Sequence, residues 1–281
     1  MSAQDTDFSY KKERIFDQKA KPMIMGILNV TPDSFHDAGK YTEEAAWLKH
    51  TAEMLEQGAD IIDIGAYSSR PGAEHISGNE ESERLLKVVV SVRKHFPESL
   101  ISVDTFRSAI ARNAVDSGAN IINDISGGML DPDMFKTVAQ LQVPYVLMHI
   151  QGTPQNMQLD PVYENVVKEV FDHLKNRLEQ LHALGVKEVI IDPGFGFGKT
   201  LEHNFELLRN LEKFREMDCP VLVGVSRKSI VNKLLNIKSK DSLNGTSVLN
   251  AIAIQRGANI IRVHDVKEAK EVITILEKMK G

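Results

Sequence analysis

A chain of 281 residues, 42% of them hydrophobic, can bury one sizeable core without disulfides or structural metals to staple it. Its formal charge of −5 and pI near 6.0 exclude the concentrated basic face on which a nucleic-acid binder depends, so any anion has to be held locally. A single cysteine, Cys219, excludes an internal disulfide and a multi-thiolate metal site, and its apolar setting marks it as a buried strand residue rather than a reactive thiol.

Residues 1–20, rich in Asp, Lys and Gln, read as a loosely attached arm ahead of a single domain over 21–281. They hold no apolar run of the kind a secretory signal needs, and no later stretch is long enough to cross a bilayer, which predicts a cytoplasmic protein with no membrane partner. The first apolar run, 23–28, leads into the polar, Pro-containing loop Asn29-Val30-Thr31-Pro32-Asp33-Ser34-Phe35. An amphipathic stretch follows over 43–57, with Ala46, Leu48, Ala52 and Leu55 on one face. It closes on Gly58-Ala59-Asp60-Ile61-Ile62, a phrase that recurs as Gly118-Ala119-Asn120-Ile121-Ile122 and Gly257-Ala258-Asn259-Ile260-Ile261. Glycine takes the left-handed conformation that ends a helix, and the β-branched run after it has the two-sided apolar character of a buried parallel strand.

Apolar runs at 61–65, 100–104, 120–125, 144–149, 188–192, 220–225 and 259–264 bring the strand candidates to eight, and helical patterns separate nearly all of them. That alternation predicts the α/β class and a single (β/α)8 TIM barrel, with a doubly wound open sheet as the alternative. At or just past the C-terminal end of the eight runs stand Asn29, Asp63, Asp104, Asn123, His149, Asp192, Ser226 and His264. In a barrel these ends converge on the face where active sites lie. Polar residues also mark ordinary strand ends, but that reading explains eight hydrogen-bonding groups poorly, since a structural end can as well be Lys, Thr or Gly.

The motifs at those ends resemble the dihydropteroate synthases, a family of pterin-binding barrels. The resemblance rests on Asn29-Val30-Thr31-Pro32-Asp33-Ser34-Phe35, on Ser68-Ser69-Arg70-Pro71-Gly72 and on Ser102-Val103-Asp104-Thr105 with Ile122-Asn123-Asp124. It continues through Asp192-Pro193-Gly194-Phe195-Gly196-Phe197-Gly198-Lys199, Gly224-Val225-Ser226-Arg227-Lys228-Ser229 and Arg262-Val263-His264-Asp265, so that only the arm lies outside it. Tyr67 stands where many members carry Glu, which puts the family's loop ion pairs in doubt, and Ser69 stands where Thr is common.

A pterin offers an edge of alternating donors and acceptors, which a buried carboxylate paired with an amide can read. Asp192 and Asn123 suit that task, and Asp104 has the same capability. The resemblance places all three in a pterin pocket, with Met148 lining it and Lys228 closing over the ring. Arg262 can make a bidentate fork to phosphate, His264 adds a donor on the same strand face, and Asn29 offers an oxygen to Mg2+ or a donor to pyrophosphate. Mg2+ is implied because it neutralises pyrophosphate while keeping most of its waters. The resemblance assigns p-aminobenzoate to Phe35, Ser69, Arg70, Pro71, Phe197 and Ser229, the last at a helix N-terminus. The glycines around Phe197 lack the P-loop and G-x-G-x-x-G frames, so they read as a permissive loop rather than a nucleotide site. Structural alternatives stay open: an Asp or Ser229 as a helix cap, Arg262 in a surface ion pair, His264 as a satisfied strand end.

The resemblance implies a transferase that joins a pterin pyrophosphate to p-aminobenzoate, with both small molecules as partners and a homodimer as the assembly. Asp104, Lys228, Arg262 and His264 are its catalytic candidates. Arg262 serves the leaving group in this reading and the pterin contacts lie elsewhere. The rivals are a pterin-binding methyltransferase acting on methyltetrahydrofolate, which needs no pyrophosphate clamp, and a catalytically silent pterin-binding barrel. Lys228 as a Schiff-base lysine is disfavoured by its place beside Arg227 at a helix start, and His149 reads as structural.

Overall fold

A computed structural model describes residues 16, 18, 20–30, 43–67 and 76–279. In chain order the elements are β1 (Met23–Asn29), α1 (Glu43–Glu56), β2 (Ile61–Gly65), α2 (Gly78–His95), β3 (Leu100–Asp104), α3 (Ser108–Asp116), β4 (Ile121–Asp124) and α4 (Met134–Leu141). They continue as β5 (Tyr145–Met148), α5 (Val166–Ala183), β6 (Val189–Asp192), α6 (Leu201–Arg209), β7 (Leu222–Val223), α7 (Ser229–Leu235), α8 (Leu243–Gln255), β8 (Ile260–Val263) and α9 (Val266–Met279). The strands form one parallel sheet in the order β6-β5-β4-β3-β2-β1-β8-β7. A bridge between Ile191 and Val221, with Ile191 N donating to Pro220 O at 2.8 Å, joins the two ends of that order. The sheet therefore closes on itself, which removes its edges and distinguishes it from the open alternative.

The recurring Gly-Ala-Asp/Asn phrase closes three of the crossovers at the N-terminal end of the barrel. Gly58, Gly118 and Gly257 have φ of 99°, 108° and 96°, and the following alanine amides reach back to Met54 O, Ala114 O and Ala253 O at 2.9 Å each. Those bonds satisfy last-turn carbonyls as a left-handed helix end requires. The third residue of each phrase does a job its spacing did not announce. Asp60 Oδ2 accepts from Ile24 N at 2.7 Å, Asn120 Oδ1 from Ile101 N at 2.9 Å and Asn259 Oδ1 from Val221 N at 2.9 Å. Each side chain thus ties the end of a helix to the start of the neighbouring strand.

On α1 the buried stripe is Trp47, Thr51 and Met54, an i, i+4, i+7 line, whereas the expected face of Ala46, Leu48, Ala52 and Leu55 is half-buried beside it. The large Trp47 and Met54 side chains turn the helix about its axis toward the β2 and α2 packing layer. Inside the barrel, Met25, Ile61, Ile121, Val146, Ile190, Leu222 and Ile260 form an apolar layer near the strand starts. Phe16 is buried against that layer, and Gln18 O accepts from Asn259 Nδ2 at 2.9 Å. Cys219 is buried as expected, just ahead of β7.

Candidate active site

Side chains alternate across a strand, so every second residue above the apolar layer also points into the barrel. Two positions above Ile61, Ile121, Val146, Ile190, Leu222 and Ile260 stand Asp63, Asn123, Met148, Asp192, Gly224 and Arg262. Four positions above Met25, Leu100 and Ile260 stand Asn29, Asp104 and His264. The change from apolar to mainly polar within one or two inward steps puts Asn29, Asp104, Asn123, Asp192, Arg262 and His264 together at the C-terminal rim. Gly224 leaves a gap in the tier, since a Cβ there would come within 3.5 Å of Lys228 Nζ and 3.8 Å of Arg262 Cβ.

Asp63, fully buried, organises this tier. Its Oδ1 accepts from Ser102 Oγ at 2.5 Å, and its Oδ2 accepts from Asn123 Nδ2 at 3.1 Å and Arg262 Nε at 2.7 Å. Arg262 Nη2 donates in turn to Asp104 Oδ2 at 3.0 Å. The guanidinium therefore spans two carboxylates on β2 and β3 from its place on β8. The sequence pointed to Asp63 as a strand end without giving it work, and this is the principal member of the site that went unassigned. Arg262 also joins the residues expected to read the pterin. Its fork is already engaged with Asp104 and, through Asp63, with Asn123.

Burial pushes the Asp104 carboxyl up to about 7, with Arg262 pulling it down and the nearby Asp63 adding to the rise. The Asp192 carboxyl is also raised by burial, and Lys228 and the Gly194 N–H, which donates to Oδ1 at 2.7 Å, counter it. Burial lowers the Lys228 ammonium to about 8 against the pull of Asp192. Paired groups displaced toward neutrality in one cleft are the electrostatic mark of a working site.

Lys228 Nζ donates to Phe195 O at 2.9 Å and lies 4.5 Å from the centre of the Phe197 ring. Phe197 packs with Phe106, Ile125, Met148, Ile150 and Met157 in an apolar wall beside the polar tier. Lys228 is the N-cap of α7, with no side-chain cap hydrogen bond, and Ser229 is the first helical residue, so Ser229 is not the cap. Arg227 holds φ of 54° and its guanidinium pairs with Asp265, Nε to Oδ2 at 3.0 Å, which clasps the β7 motif to the β8 motif. His264 N donates to Ser226 Oγ at 3.2 Å, and that hydroxyl lies 3.0 Å from His264 Nδ1.

Tyr67 is held by ring packing and a hydrogen bond. Its ring meets Phe106 edge-on at 5.1 Å, and its hydroxyl accepts from Gln155 Nε2 at 2.7 Å. Arg107, 5.7 Å from the Tyr67 ring, is bound to the buried Glu81 and donates to Ile76 O at 3.0 Å. Phe35, Ser69, Arg70 and Pro71 lie outside the described residues. Among the described residues no group of three or more His, Cys, Asp or Glu side chains is arranged to hold a metal. An ion that arrives on a pyrophosphate needs only one or two protein oxygens, and Asn29 at the end of β1 can supply one, so the donor set fits a substrate-borne magnesium and not a protein cage.

A parallel (β/α)8 barrel with opposed carboxylates and cations at its C-terminal mouth defines an enzyme barrel. Residues 25–264 match the pterin binding enzymes, and the chain belongs to that family. It is 42% identical to the dihydropteroate synthase of Escherichia coli K12 over 258 residues, 91% of either chain. A solved Yersinia pestis dihydropteroate synthase in a sulfonamide drug complex is similar with a TM-score of 0.88 and 40% identity, covering 94% of this chain and 96% of that one. The Xanthomonas albilineans dihydropteroate synthase in complex with 7,8-dihydropteroate is similar with a TM-score of 0.85 and 35% identity, covering 95% and 97%.

Proposed function

We infer that the protein is a transferase that condenses 6-hydroxymethyl-7,8-dihydropterin pyrophosphate with p-aminobenzoate, giving 7,8-dihydropteroate and pyrophosphate in folate synthesis. The observation that carries the reading is Arg262, a half-buried guanidinium held by Asp63 and Asp104 at the mouth of the barrel. It is a positive charge available to a departing pyrophosphate, a role that neither a methyltransferase nor a silent barrel would require of it beyond its pairing with Asp63 and Asp104.

The pterin edge is read by Asp192, Asn123 and Asp104, against Met148 and with Lys228 over the ring. The C–O bond to pyrophosphate breaks, positive character grows at the exocyclic methylene, and the amine nitrogen of p-aminobenzoate forms the new C–N bond and releases a proton. Ionised Asp104 stabilises the developing cation, while Arg262, His264 and Asn29 hold the leaving group. Such groups act where charge appears in the transition state. Asn29 would supply the protein oxygen to a magnesium ion carried in on the pyrophosphate, whose charge would help neutralise the leaving group. Phe197, Ser229, Phe35, Ser69, Arg70 and Pro71 take p-aminobenzoate. Among the described residues no helix is long and apolar enough to cross a membrane, in keeping with a cytoplasmic enzyme, and family resemblance supports a homodimer.

Incubating the protein with the pterin pyrophosphate, p-aminobenzoate and Mg2+ should yield dihydropteroate, detected by mass. Consumption of both substrates without that product, or no turnover, would overturn the reading. Light scattering that gives a monomer mass across a wide concentration range would reject the homodimer.

A further inference from the structure

The loop between β6 and α6 folds around a buried lysine that the reaction does not use. Gly194, Gly196 and Gly198 all have positive φ, at 73°, 83° and 61°. A Cβ on Gly194 would lie 1.9 Å from His149 O, and one on Gly198 would lie 2.5 Å from Gln151 O. The loop backbone is thus pressed directly onto the backbone that leaves β5, with no side chain between them. Contact of that kind turns carbonyls inward, where they need donors.

Lys199, 4% exposed, supplies them. Its Nζ lies 2.9 Å from Phe197 O, 3.0 Å from Gly194 O and 2.9 Å from His149 Nδ1, with His149 O at 3.4 Å. An ammonium has three protons, and three close acceptors converge on it. Its partners among the described residues are carbonyls and an imidazole rather than a carboxylate, the arrangement that would otherwise hold a monovalent cation. Burial, and then the Lys199 charge, hold the His149 pKa down at about 2, so the ring is neutral, and burial lowers the Lys199 ammonium itself to about 7.

We propose that Lys199 is a positioning residue, a tethered internal hydrogen-bond donor that shapes the β6–α6 loop and thereby sets the Phe197 ring against the aromatic amine. One of its bonds is to Phe197 itself, and the loop it gathers includes Phe195 O, the acceptor of Lys228. The loop has further anchors that do not involve Lys199: Thr200 caps α6, Asn204 Oδ1 accepts from Gly196 N at 2.7 Å, Gln158 Nε2 donates to Gly196 O at 2.8 Å and Tyr163 OH to Gly198 O at 2.8 Å. Loss of Lys199 therefore removes the donor to Phe197 O and Gly194 O while these anchors remain, which loosens the Phe197 ring without unfolding the loop. The proposal rests on the assignment of p-aminobenzoate to Phe197.

The test is steady-state kinetics and thermal unfolding of Lys199→Met and Lys199→Gln, the second keeping two donors without the charge. The expected result is a KM for p-aminobenzoate raised about tenfold in Lys199→Met and less in Lys199→Gln, the scale of displacing one aromatic contact. The KM for the pterin pyrophosphate should move by a smaller factor. In Lys199→Ala, added ethylammonium chloride should bring the p-aminobenzoate KM back toward wild type where sodium chloride does not. If both variants keep the wild-type KM for p-aminobenzoate, or only melt earlier, Lys199 is a structural residue and the proposal fails. Wild type that makes no dihydropteroate would instead sink the underlying assignment.

Discussion

The two ends of the barrel solve the problem of buried polar groups in opposite ways. At the N-terminal end Asp60, Asn120 and Asn259 each commit a side-chain oxygen to a neighbouring backbone N–H. At the C-terminal end Asp63, Asp104, Asn123 and Arg262 satisfy one another through side chains drawn from four strands. Pairing of side chains with the backbone fixes the architecture. Charged pairing between side chains leaves an electrostatic field that a substrate can enter, at the cost of groups held away from their ordinary ionisation.

The difference can be broken most forcefully at Arg262. Arg262→Ala should slow turnover by about 10²–10³-fold, the scale of losing one preorganised charge stabiliser. It should also destabilise the fold by about 3–5 kcal/mol, because Asp63 is left buried and unpaired. Because Asp63 also holds Asn123, affinity for the pterin without its pyrophosphate should fall too. Kinetics, chemical denaturation and calorimetry check the three parts, and unchanged turnover would remove Arg262 from the chemistry.

Next in size is Asp192→Asn, which puts a donor where the pterin edge meets an acceptor and should weaken pterin binding by about 10–100-fold. Titration calorimetry that shows wild-type affinity would take Asp192 out of the pocket. The opposite end gives the contrasting result. Asn120→Ala strips the acceptor from Ile101 N and from Arg93 Nη2, so it should cost about 1–3 kcal/mol of stability with turnover per folded molecule unchanged. A fall in turnover comparable to that of Arg262→Ala would erase the distinction between the ends. The smallest effect belongs to Gly118→Ala, where φ of 108° disfavours a side chain and Arg93 Cγ lies 2.9 Å from the new Cβ; about 1 kcal/mol of stability should be lost, again without kinetic change.

Strand identity was legible because apolar runs and the Gly-Ala-Asp/Asn phrase are local signals, each decided within a few residues. The rim was legible for a related reason: once eight strands are placed, alternation carries their ends to one face. Partnership across the barrel was not. Asp63 and Arg262 are 199 positions apart, and no pattern within either strand says that one carboxylate will receive both Arg262 Nε and Asn123 Nδ2. Lys199 was hidden differently, since a lysine after a glycine loop reads as a solvated end until the backbone is seen to fold over it. The stripe on α1 was misplaced because small and large apolar residues were weighed alike, while Trp47 and Met54 decide which way the helix turns.

If the field of the rim carries the reaction, its ionisation must set the rate. Activity requires Asp104 ionised, and its carboxyl is raised to about 7, so kcat/KM should climb as pH rises through about 7. It requires Lys228 charged, and that ammonium is lowered to about 8, so kcat/KM should fall as pH rises beyond about 8. The direct test is the pH profile of kcat/KM for wild type and Asp104→Asn. The variant should be slower and should lose the acid limb while keeping the alkaline one. A limb contributed by the phosphates of the substrate would survive in the variant, so an acid limb unchanged by Asp104→Asn would contradict the account.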